Sequence, residues 1–175
     1  MWFKLLMQPL DWGPTAPQHF HNEAILDAPP ERVFEILADT AQWPLWFPKV
    51  KYAKWLTEPA QVGAHREVAV DILAFREEFL AWDPGRRFAF TIYAETLPFS
   101  HSLVEDYRLE PASGGRTHLV WELHFDLRWF VRPFAGPLRW RYEDMLRQAA
   151  ESLTAYVRRT AAASPQMPRE EQPTV

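Results

Sequence analysis

The chain of 175 residues contains no cysteine, so it forms no disulfide and offers no thiolate to a metal or to nucleophilic catalysis. It also has no apolar run that approaches the ~18 residues of a membrane span. Its net charge is −4 and no cluster of basic residues is present, which argues against a nucleic-acid partner. The N-terminus lacks the features of a secretory signal, so we expect a cytoplasmic protein.

Motifs for a bound metal or cofactor are missing as well. The six histidines do not have the spacing of metal ligands, and no glycine-rich loop suits a phosphate. No serine lies in the sequence context of a nucleophile elbow. We therefore expect neither a metal nor a cofactor.

Aromatic residues are abundant instead. Nine tryptophans, twelve phenylalanines and five tyrosines give an aromatic content of 15%, which is more aromatic surface than packing alone tends to require. The length favours one main domain over residues 18–160. Residues 1–17 form an apolar, proline-punctuated lead-in that we expect to contain a short helix packed on the body. Residues 161–175 are small, polar and proline-rich, and we expect them to be disordered.

The longest periodic pattern lies near the C-terminus. Apolar residues recur at helical spacing from Leu138 to Val157, which predicts an amphipathic helix. Such a helix is roughly 30 Å long, enough to cross a small domain, and its apolar stripe needs a partner surface. The stripe consists of Leu138, Tyr142, Met145, Leu146, Ala149, Leu153, Tyr156 and Val157.

The rest of the chain reads mainly as strands. Alternating apolar and polar residues predict a first strand over 19–27, followed by two short helical segments over 31–39 and 40–47. Turn residues then separate six further strands. These strands are expected at 50–56, 64–72, 75–82, 87–95, 101–110 and 116–126.

Tight turns set the pairing between these strands, and the strict alternation of side chains then assigns each residue to a face. The expected pairs are Phe79–Phe90 and Trp82–Arg87 around a turn at Pro84-Gly85, Val68–Phe79 around a turn at Leu73-Ala74, and Glu105 with both Phe90 and Trp121.

One face of the resulting sheet is dry and should be covered by the C-terminal helix. The residues on this face include Arg66, Val68, Val70, Ile72, Phe75, Glu77, Phe79, Ala81, Phe90, Ile92, Ala94, His101, Leu103, Glu105, Tyr107, Trp121 and Leu123.

In this order, the elements resemble the START/Bet v 1-like (SRPBCC) superfamily, and within it the bacterial polyketide cyclase/dehydrase and lipid-transport branch. The resemblance covers about residues 19 to 158. It implies an α+β helix-grip fold, in which a curved antiparallel sheet wraps around a long C-terminal helix and encloses a cavity for apolar molecules. Its stretches are ILDAPPERVFEILADTAQWPLWFPKV, VGAHREV, FLAWDPGRRFAFTI, YRLEPASGGRTHLVWELHF and the closing helix.

Five polar residues stand out on the dry face and are the candidates for catalysis: Arg66, Glu77, His101, Glu105 and Tyr107. Each must be paired, neutral or in contact with something polar, because an unpaired buried charge costs several kcal/mol. Between aromatic rings the pKa of Glu105 should rise, so that it can act as an acid or as an anchor for a ligand. Structural ion pairing, for instance of Arg66 with a glutamate, is the alternative.

The expected ligand-binding residues are mostly apolar. We expect Trp43 and Trp46 to form a lid over the cavity mouth, and ordinary core packing is the alternative. The apolar segment 129–134, together with Trp140 and the N-terminal residues Trp2 and Phe3, could instead rest transiently on a membrane. The expected ligand-binding residues are Trp43, Trp46, Phe79, Phe90, Ile92, Leu103, Glu105, Trp121, Leu123, Tyr142 and Leu146.

The leading functional hypothesis is the binding and carriage of a hydrophobic, ring-containing small molecule, by a monomer or a homodimer. A polyketide cyclase or dehydratase is one alternative, and the residues leave open whether the protein is an enzyme. A chaperone for a quinone or for a protein partner is another, and a cavity too small for a ligand would favour it.

Overall fold

The structure is a computed structural model, and it describes residues 1–58 and 60–163, without the side chains of Leu138, Ala162 and Ala163. The expected disordered tail, residues 161–175, lies outside the described residues from position 164 onward.

The chain forms a sheet with helices on one side of it, as predicted. Three 3-10 turns, Leu10–Thr15, Thr40–Gln42 and Arg132–Phe134, lie between the main elements. The strands are β1 Phe3–Lys4, β2 Gln18–Leu26, β3 Val50–Trp55, β4 His65–Val70, β5 Leu73–Asp83, β6 Arg87–Glu95, β7 Ser100–Ala112 and β8 Arg116–Leu127, and the helices are α1 Pro30–Ala38, α2 Trp43–Trp46 and α3 Ala135–Ala163.

All strands belong to one antiparallel sheet in the order β2-β8-β7-β6-β5-β4-β3, and the short strand β1 pairs with the end of β6. The first and last strands of the main sheet, β2 and β8, therefore lie side by side at one edge. Helices α1 and α2 carry the chain across to β3 at the opposite edge. This confirms the helix-grip fold.

Helix α3 closes the inner face of the sheet. It begins three residues before the predicted helix and ends six residues after it. Leu146, Ala149, Leu153 and Val157 are buried on its inner side. Tyr142, Met145 and Tyr156 are only half-buried, although they belong to the same stripe.

The N-terminal lead-in differs from the expected short α-helix. Its residues form strand β1, which pairs Phe3 with Glu95 and Lys4 with Ala94, and then the 3-10 turn. Pro9 and Pro14 explain the difference, because a proline has no N–H to donate and disrupts regular α-helical hydrogen bonding.

Strand β5 contains a bulge that changes which residues face the core. Phe79 pairs with Phe90 as predicted, but the register shifts before Ala81, so that Trp82 pairs with Phe88 rather than with Arg87. Trp82 consequently packs against the core, and the prediction that Ala81 belongs to the inner face was wrong.

Two further bulges alter the inner face at the other end of the sheet. On β6 the register shifts around Tyr93, so that Glu95 lies opposite Phe75, while Ala94 turns outward and pairs with Lys4 of β1. On β7 the register shifts between Ser100 and Ser102, and His101 is exposed. The predictions that Ala94 and His101 face inward were wrong, because one inserted residue moves its neighbours to the opposite face.

The β4–β5 turn lies at Asp71-Ile72 rather than at Leu73-Ala74. Asp71 adopts a left-handed conformation with φ of 53°, which aspartate tolerates in tight turns. Val68 therefore pairs with Phe75 instead of with Phe79. The pairing moved by an even number of residues, so the residues of both strands keep their predicted faces apart from Ala81 and from Ile72, which lies in the turn and is 67% exposed.

The pairing of strands β7 and β8 also differs from the prediction by an even number of residues. Glu105 lies between Phe90 and Leu123, and Trp121 is opposite Tyr107 instead. The predicted pairing of Glu105 with Trp121 was wrong by two residues, and both residues still face the core.

Replacing Leu153 or Leu146 by alanine should lower the free energy of unfolding by about 2–5 kcal/mol, because both leucines are buried between α3 and the sheet. Leu45, which is 61% exposed, provides the matched control, and Leu45→Ala should change stability by less than about 0.5 kcal/mol. Urea denaturation measures all three. Losses as small as the control at both buried positions would contradict the docking of α3.

Candidate functional site

A set of adjoining cavities lies between the sheet and the first half of α3. The cavity that reaches Glu77 and Glu105, which we call the deep cavity, has a volume of about 70 Å³, and its two neighbours have volumes of about 40 and 70 Å³. Phe75 and Tyr142 line all three, so the spaces are separated mainly by these two side chains. Cavities that hold drug-sized ligands usually measure ~300–1,000 Å³, so a ligand of that size needs the space to widen.

The deep cavity contains most of the expected binding residues. Phe79, Trp121 and Trp46 do not line it and instead pack behind it. Phe47, Val68, Val70, Phe75 and Met145 line it but were not among the expected binding residues, although the alternation in β4 and β5 had placed three of them on the inner face. The expected residues that do line it are Trp43, Phe90, Ile92, Leu103, Glu105, Leu123, Tyr142 and Leu146, together with Glu77.

Trp43 and Trp46 are core residues rather than a lid in this structure. Their exposed fractions are 3% and 0%. The Trp43 indole donates a hydrogen bond to the Leu37 carbonyl at 2.8 Å, and the Trp46 ring packs edge-on against Trp121 at 6.3 Å between centroids. Neither side chain lies at an opening, which corrects the expected lid.

Arg66 is sealed inside the protein among aromatic rings. Its guanidinium carbon lies 4.1 Å from the centre of the Trp43 ring, and four more rings lie between 5.0 and 5.9 Å away. Nη1 and Nη2 have no hydrogen-bond partner among the described residues. Cation–π contact therefore provides much of the environment of this cation.

Glu77 supplies the counterion. It faces Arg66 across β4 and β5, and Arg66 Nε donates to Glu77 Oε2 at 2.6 Å. Burial raises the pKa of Glu77 and the guanidinium opposes this rise. Because a guanidinium stays protonated and a buried unpaired cation is costly, we assign the ionised form to Glu77.

Glu105 is the acid that this ion pair leaves without a counterion. Two donors converge on one of its oxygens: Tyr107 Oη donates to Oε1 at 2.5 Å, and Trp121 Nε1 donates to the same atom at 2.8 Å. The Tyr107 and Trp121 rings are stacked with their centroids 4.8 Å apart. The second oxygen, Oε2, is therefore the atom left for a proton and for a ligand.

Burial raises the pKa of Glu105 to about 7, and the negative charge of Glu77 adds to the effect, while Arg66 and the two hydrogen bonds oppose it. Burial also raises the pKa of Tyr107 well above its usual range, so this phenol remains a donor. Below neutral pH the cavity thus contains mainly a carboxylic acid, and near pH 7 the acid and the carboxylate are present in comparable amounts. A neutral acid can donate a hydrogen bond, which a carboxylate cannot.

Glu95 is a second buried acid that the sequence did not reveal, since only the bulge at Tyr93 turns it inward. The Ser100 amide donates to its Oε1 at 2.6 Å, and Oε2 has no partner among the described residues. Burial raises the pKa of Glu95 to about 7. His101, in contrast, is exposed at its bulge and lies away from the cavity.

No group of three His, Asp or Glu side chains within the described ranges is arranged to hold a metal ion. Helix α3 and the other described helices are too short or too polar to span a bilayer.

A curved antiparallel sheet that grips one long helix over a dry cavity defines the helix-grip class of proteins, the START/Bet v 1-like superfamily. More specifically, the chain belongs to the polyketide cyclase/dehydrase and lipid transport family, whose profile matches residues 17–158.

Known proteins agree with this assignment. An uncharacterized protein from Mycobacterium tuberculosis (strain ATCC 25618 / H37Rv) is 31% identical over 160 residues, which cover 90% of this chain and 95% of that protein. The Zhui aromatase/cyclase from Streptomyces sp. R1128 has a similar fold, with a TM-score of 0.72, 20% identity and coverage of 82% of this chain and 95% of that one. A START superfamily protein from Mycobacterium smegmatis has a TM-score of 0.67, 15% identity and coverage of 81% and 98%.

The raised pKa of Glu105 predicts a distinctive pH dependence of stability. The folded protein binds this proton more tightly than the unfolded chain, so its contribution is complete below about pH 4.5 and is lost as the pH rises through about 7. Glu105→Gln cannot ionise. As the pH rises from about 4.5 to about 7, the free energy of unfolding of Glu105→Gln should decrease by on the order of 2–3 kcal/mol less than that of the native protein.

Chemical denaturation at several pH values measures this difference. Glu58→Gln, a change at an exposed site, should show the same dependence of the free energy of unfolding on pH as the native protein. Because Glu95 also has a raised pKa, part of the decrease in stability with rising pH should remain in all variants. A loss of several kcal/mol at every pH in Glu105→Gln would instead identify Glu105 as an ionised partner of Arg66.

Proposed function

We propose that this protein binds and carries a neutral, ring-containing hydrophobic molecule between its sheet and helix α3, in the cytoplasm and as a monomer or homodimer. The observation that supports this most strongly is the composition of the deep cavity. Its lining is aromatic and aliphatic apart from Glu77, Glu105 and the Tyr142 hydroxyl. Predominantly apolar walls with a few fixed polar groups are typical of small-molecule sites.

Glu105 is the proposed polar anchor. Tyr107 and Trp121 hold its Oε1, so the protonated Oε2 donates to a carbonyl or hydroxyl oxygen of the ligand. Glu77, which is committed to Arg66, repels an anionic ligand from the same space. A neutral molecule with an oxygen substituent therefore fits this site better than a fatty-acid carboxylate.

Ligand entry requires the first half of α3 to move. Residues 146–157 of the helix are anchored by buried leucine, alanine and valine side chains, whereas Tyr142 and Met145 are only half-buried. The Arg141 guanidinium forms an ion pair with Asp71 in the β4–β5 turn, at the rim of one of the cavities. Weakly buried segments are the ones that open locally at low cost in free energy.

Hydrogen–deuterium exchange tests this opening. Amides in residues 139–145 should exchange at least about tenfold faster than those in residues 149–157, because the second half of the helix has the more deeply buried inner side. A bound ligand should slow the first group selectively. Equal, slow exchange along the whole helix would contradict the proposed entry route.

Binding itself is tested with the neutral fluorescent probe N-phenyl-1-naphthylamine. The native protein should bind it, and Leu103→Phe should weaken binding about tenfold, since Leu103 lines two of the cavities and a larger side chain fills the space. Leu45→Phe, at an exposed site, is the matched control. Probe binding that is unaffected by Leu103→Phe would place the probe elsewhere.

Native mass spectrometry of the protein purified from its own host would identify the natural ligand. A chain that is always empty and also fails to bind the probe would overturn the proposal. The small volume of the closed cavities would then favour a chaperone for a protein partner.

One observation favours an enzyme as the second candidate function. An acid with a pKa of about 7 inside a dry cavity is suited to general acid catalysis near neutral pH, as a cyclase or dehydratase requires. Under this hypothesis Glu105→Gln abolishes turnover of a polyketide-like substrate while substrate still binds. If Glu105 is only an anchor, the same substitution weakens binding and no turnover is found in the native protein.

A further inference from the structure

Four aromatic side chains on the outside of the protein differ in exposure from all its other tryptophan and phenylalanine rings. Of the nine tryptophans and twelve phenylalanines, only Trp129, Phe130, Phe134 and Trp140 are well exposed, with exposed fractions of 78%, 43%, 68% and 72%. All four lie within one stretch of twelve residues, between the end of β8 and the second turn of α3. We call these four residues the aromatic surface patch.

The fold holds this patch in place. Val131, in the middle of the stretch, is buried in the core, and its amide donates to the Arg128 carbonyl at 2.9 Å. The Phe134 amide in turn donates to the Val131 carbonyl at 2.9 Å. Anchored in this way, the flanking rings project outward, and Trp129 and Phe130 meet edge to face at 5.7 Å.

Beside the patch lies one arginine whose charge is not offset by a carboxylate, although the whole chain carries −4. Arg132, Arg139 and Arg141 pair with Asp126, Glu143 and Asp71, and among the described residues no carboxylate pairs with Arg128. Arg128 donates to the main-chain carbonyls of Ser100 and Lys4, which carry no net charge to offset its own. The uncompensated charge of Arg128 favours an anionic surface over a neutral one.

A shallow hollow of about 290 Å³ lies beside the rings. Arg128, Arg132 and His101 line it together with Trp129 and Phe130, and Asp126 is held there by Arg132. Guanidinium groups next to aromatic rings suit a phosphate that sits just above an apolar layer. Tryptophan is likewise enriched where hydrocarbon meets headgroups.

We propose that the aromatic surface patch docks this protein on an anionic lipid bilayer, with a headgroup phosphate in the hollow lined by Arg128 and Arg132. A bilayer fits better than a protein partner, because rings that project from a loop and a helix start can insert into it without a shape-complementary surface. Trp2 and Phe3 take no part: Trp2 packs against Arg76 at 4.1 Å and Phe3 lies in β1.

The patch also lies next to the cavities. Ala135 and Arg139, from the same first turns of α3, line the cavity that contains Phe20 and Tyr142. Docking would therefore bring one side of the proposed ligand space towards the bilayer. The docking proposal stands on the patch alone and does not require that a ligand be bound.

Vesicle co-sedimentation tests the proposal. The native protein should bind vesicles of phosphatidylcholine with roughly one-third phosphatidylglycerol, and weakly if at all those of phosphatidylcholine alone. The double variant Trp129→Ser/Trp140→Ser should bind the mixed vesicles at least about tenfold more weakly. The double variant Leu45→Ser/Val62→Ser removes exposed apolar side chains elsewhere and should bind like the native protein.

Arg132→Gln should reduce the preference for phosphatidylglycerol while leaving the thermal unfolding temperature nearly unchanged, since this side chain is mostly exposed. Leu103→Phe, which fills the cavity, should leave vesicle binding intact, so that this proposal and the cavity proposal can fail separately. No binding to mixed vesicles, or binding that survives the loss of both tryptophans, would overturn the proposal. Capture of a protein by the patch in place of vesicles would overturn it too.

Discussion

Arg66 carries a permanent charge that the fold has removed from water, and the rest of the interior is arranged around that charge. Five aromatic rings surround the guanidinium, and Glu77 is the carboxylate that neutralises it. Because the cation has this counterion, Glu105 has none, and the charge of Glu77 further disfavours its ionisation. The neutral acid in the cavity is thus a consequence of the buried ion pair. The pairing of Arg66 with Glu77 depends in turn on the position of the β4–β5 turn.

The sequence was sufficient for the fold and for most of the dry face, since both depend on periodicity. It predicted α3 from its stripe and placed Arg66, Glu77, Glu105 and Tyr107 inside. The error in the predicted position of the β4–β5 turn did not exchange the inner and outer faces of these strands, because the pairing moved by an even number of residues. Bulges are different: each depends on local packing and hydrogen bonding in three dimensions and leaves little trace in an alternating pattern. This is why Trp82 and Glu95 were missed and His101 was misplaced.

The cavities are small because aromatic side chains fill most of the space that the sheet and α3 enclose. Stability therefore requires α3 to pack tightly on the sheet, whereas ligand access requires it to open. Different parts of the helix serve these two requirements. The part of the helix from Leu146 to Val157 contributes Leu146, Leu153 and Val157 to the core, while the part before it, near Tyr142, covers the cavities less tightly. The aromatic surface patch adjoins this earlier part, so access to the cavity and contact with a bilayer concern the same end of the molecule.

The anchoring of a ligand, the preference for a neutral ligand and any acid catalysis all depend on the protonation state of Glu105. Carboxyl NMR of protein labelled with ¹³C-glutamate measures it directly, with Glu105→Gln providing the assignment. Glu105 should titrate with a pKa of about 7, and a bound neutral ligand should raise this value further. Titration at or below about 4.5, the ordinary value for a glutamate, would show an ionised carboxylate at neutral pH and would contradict a neutral acid in the cavity.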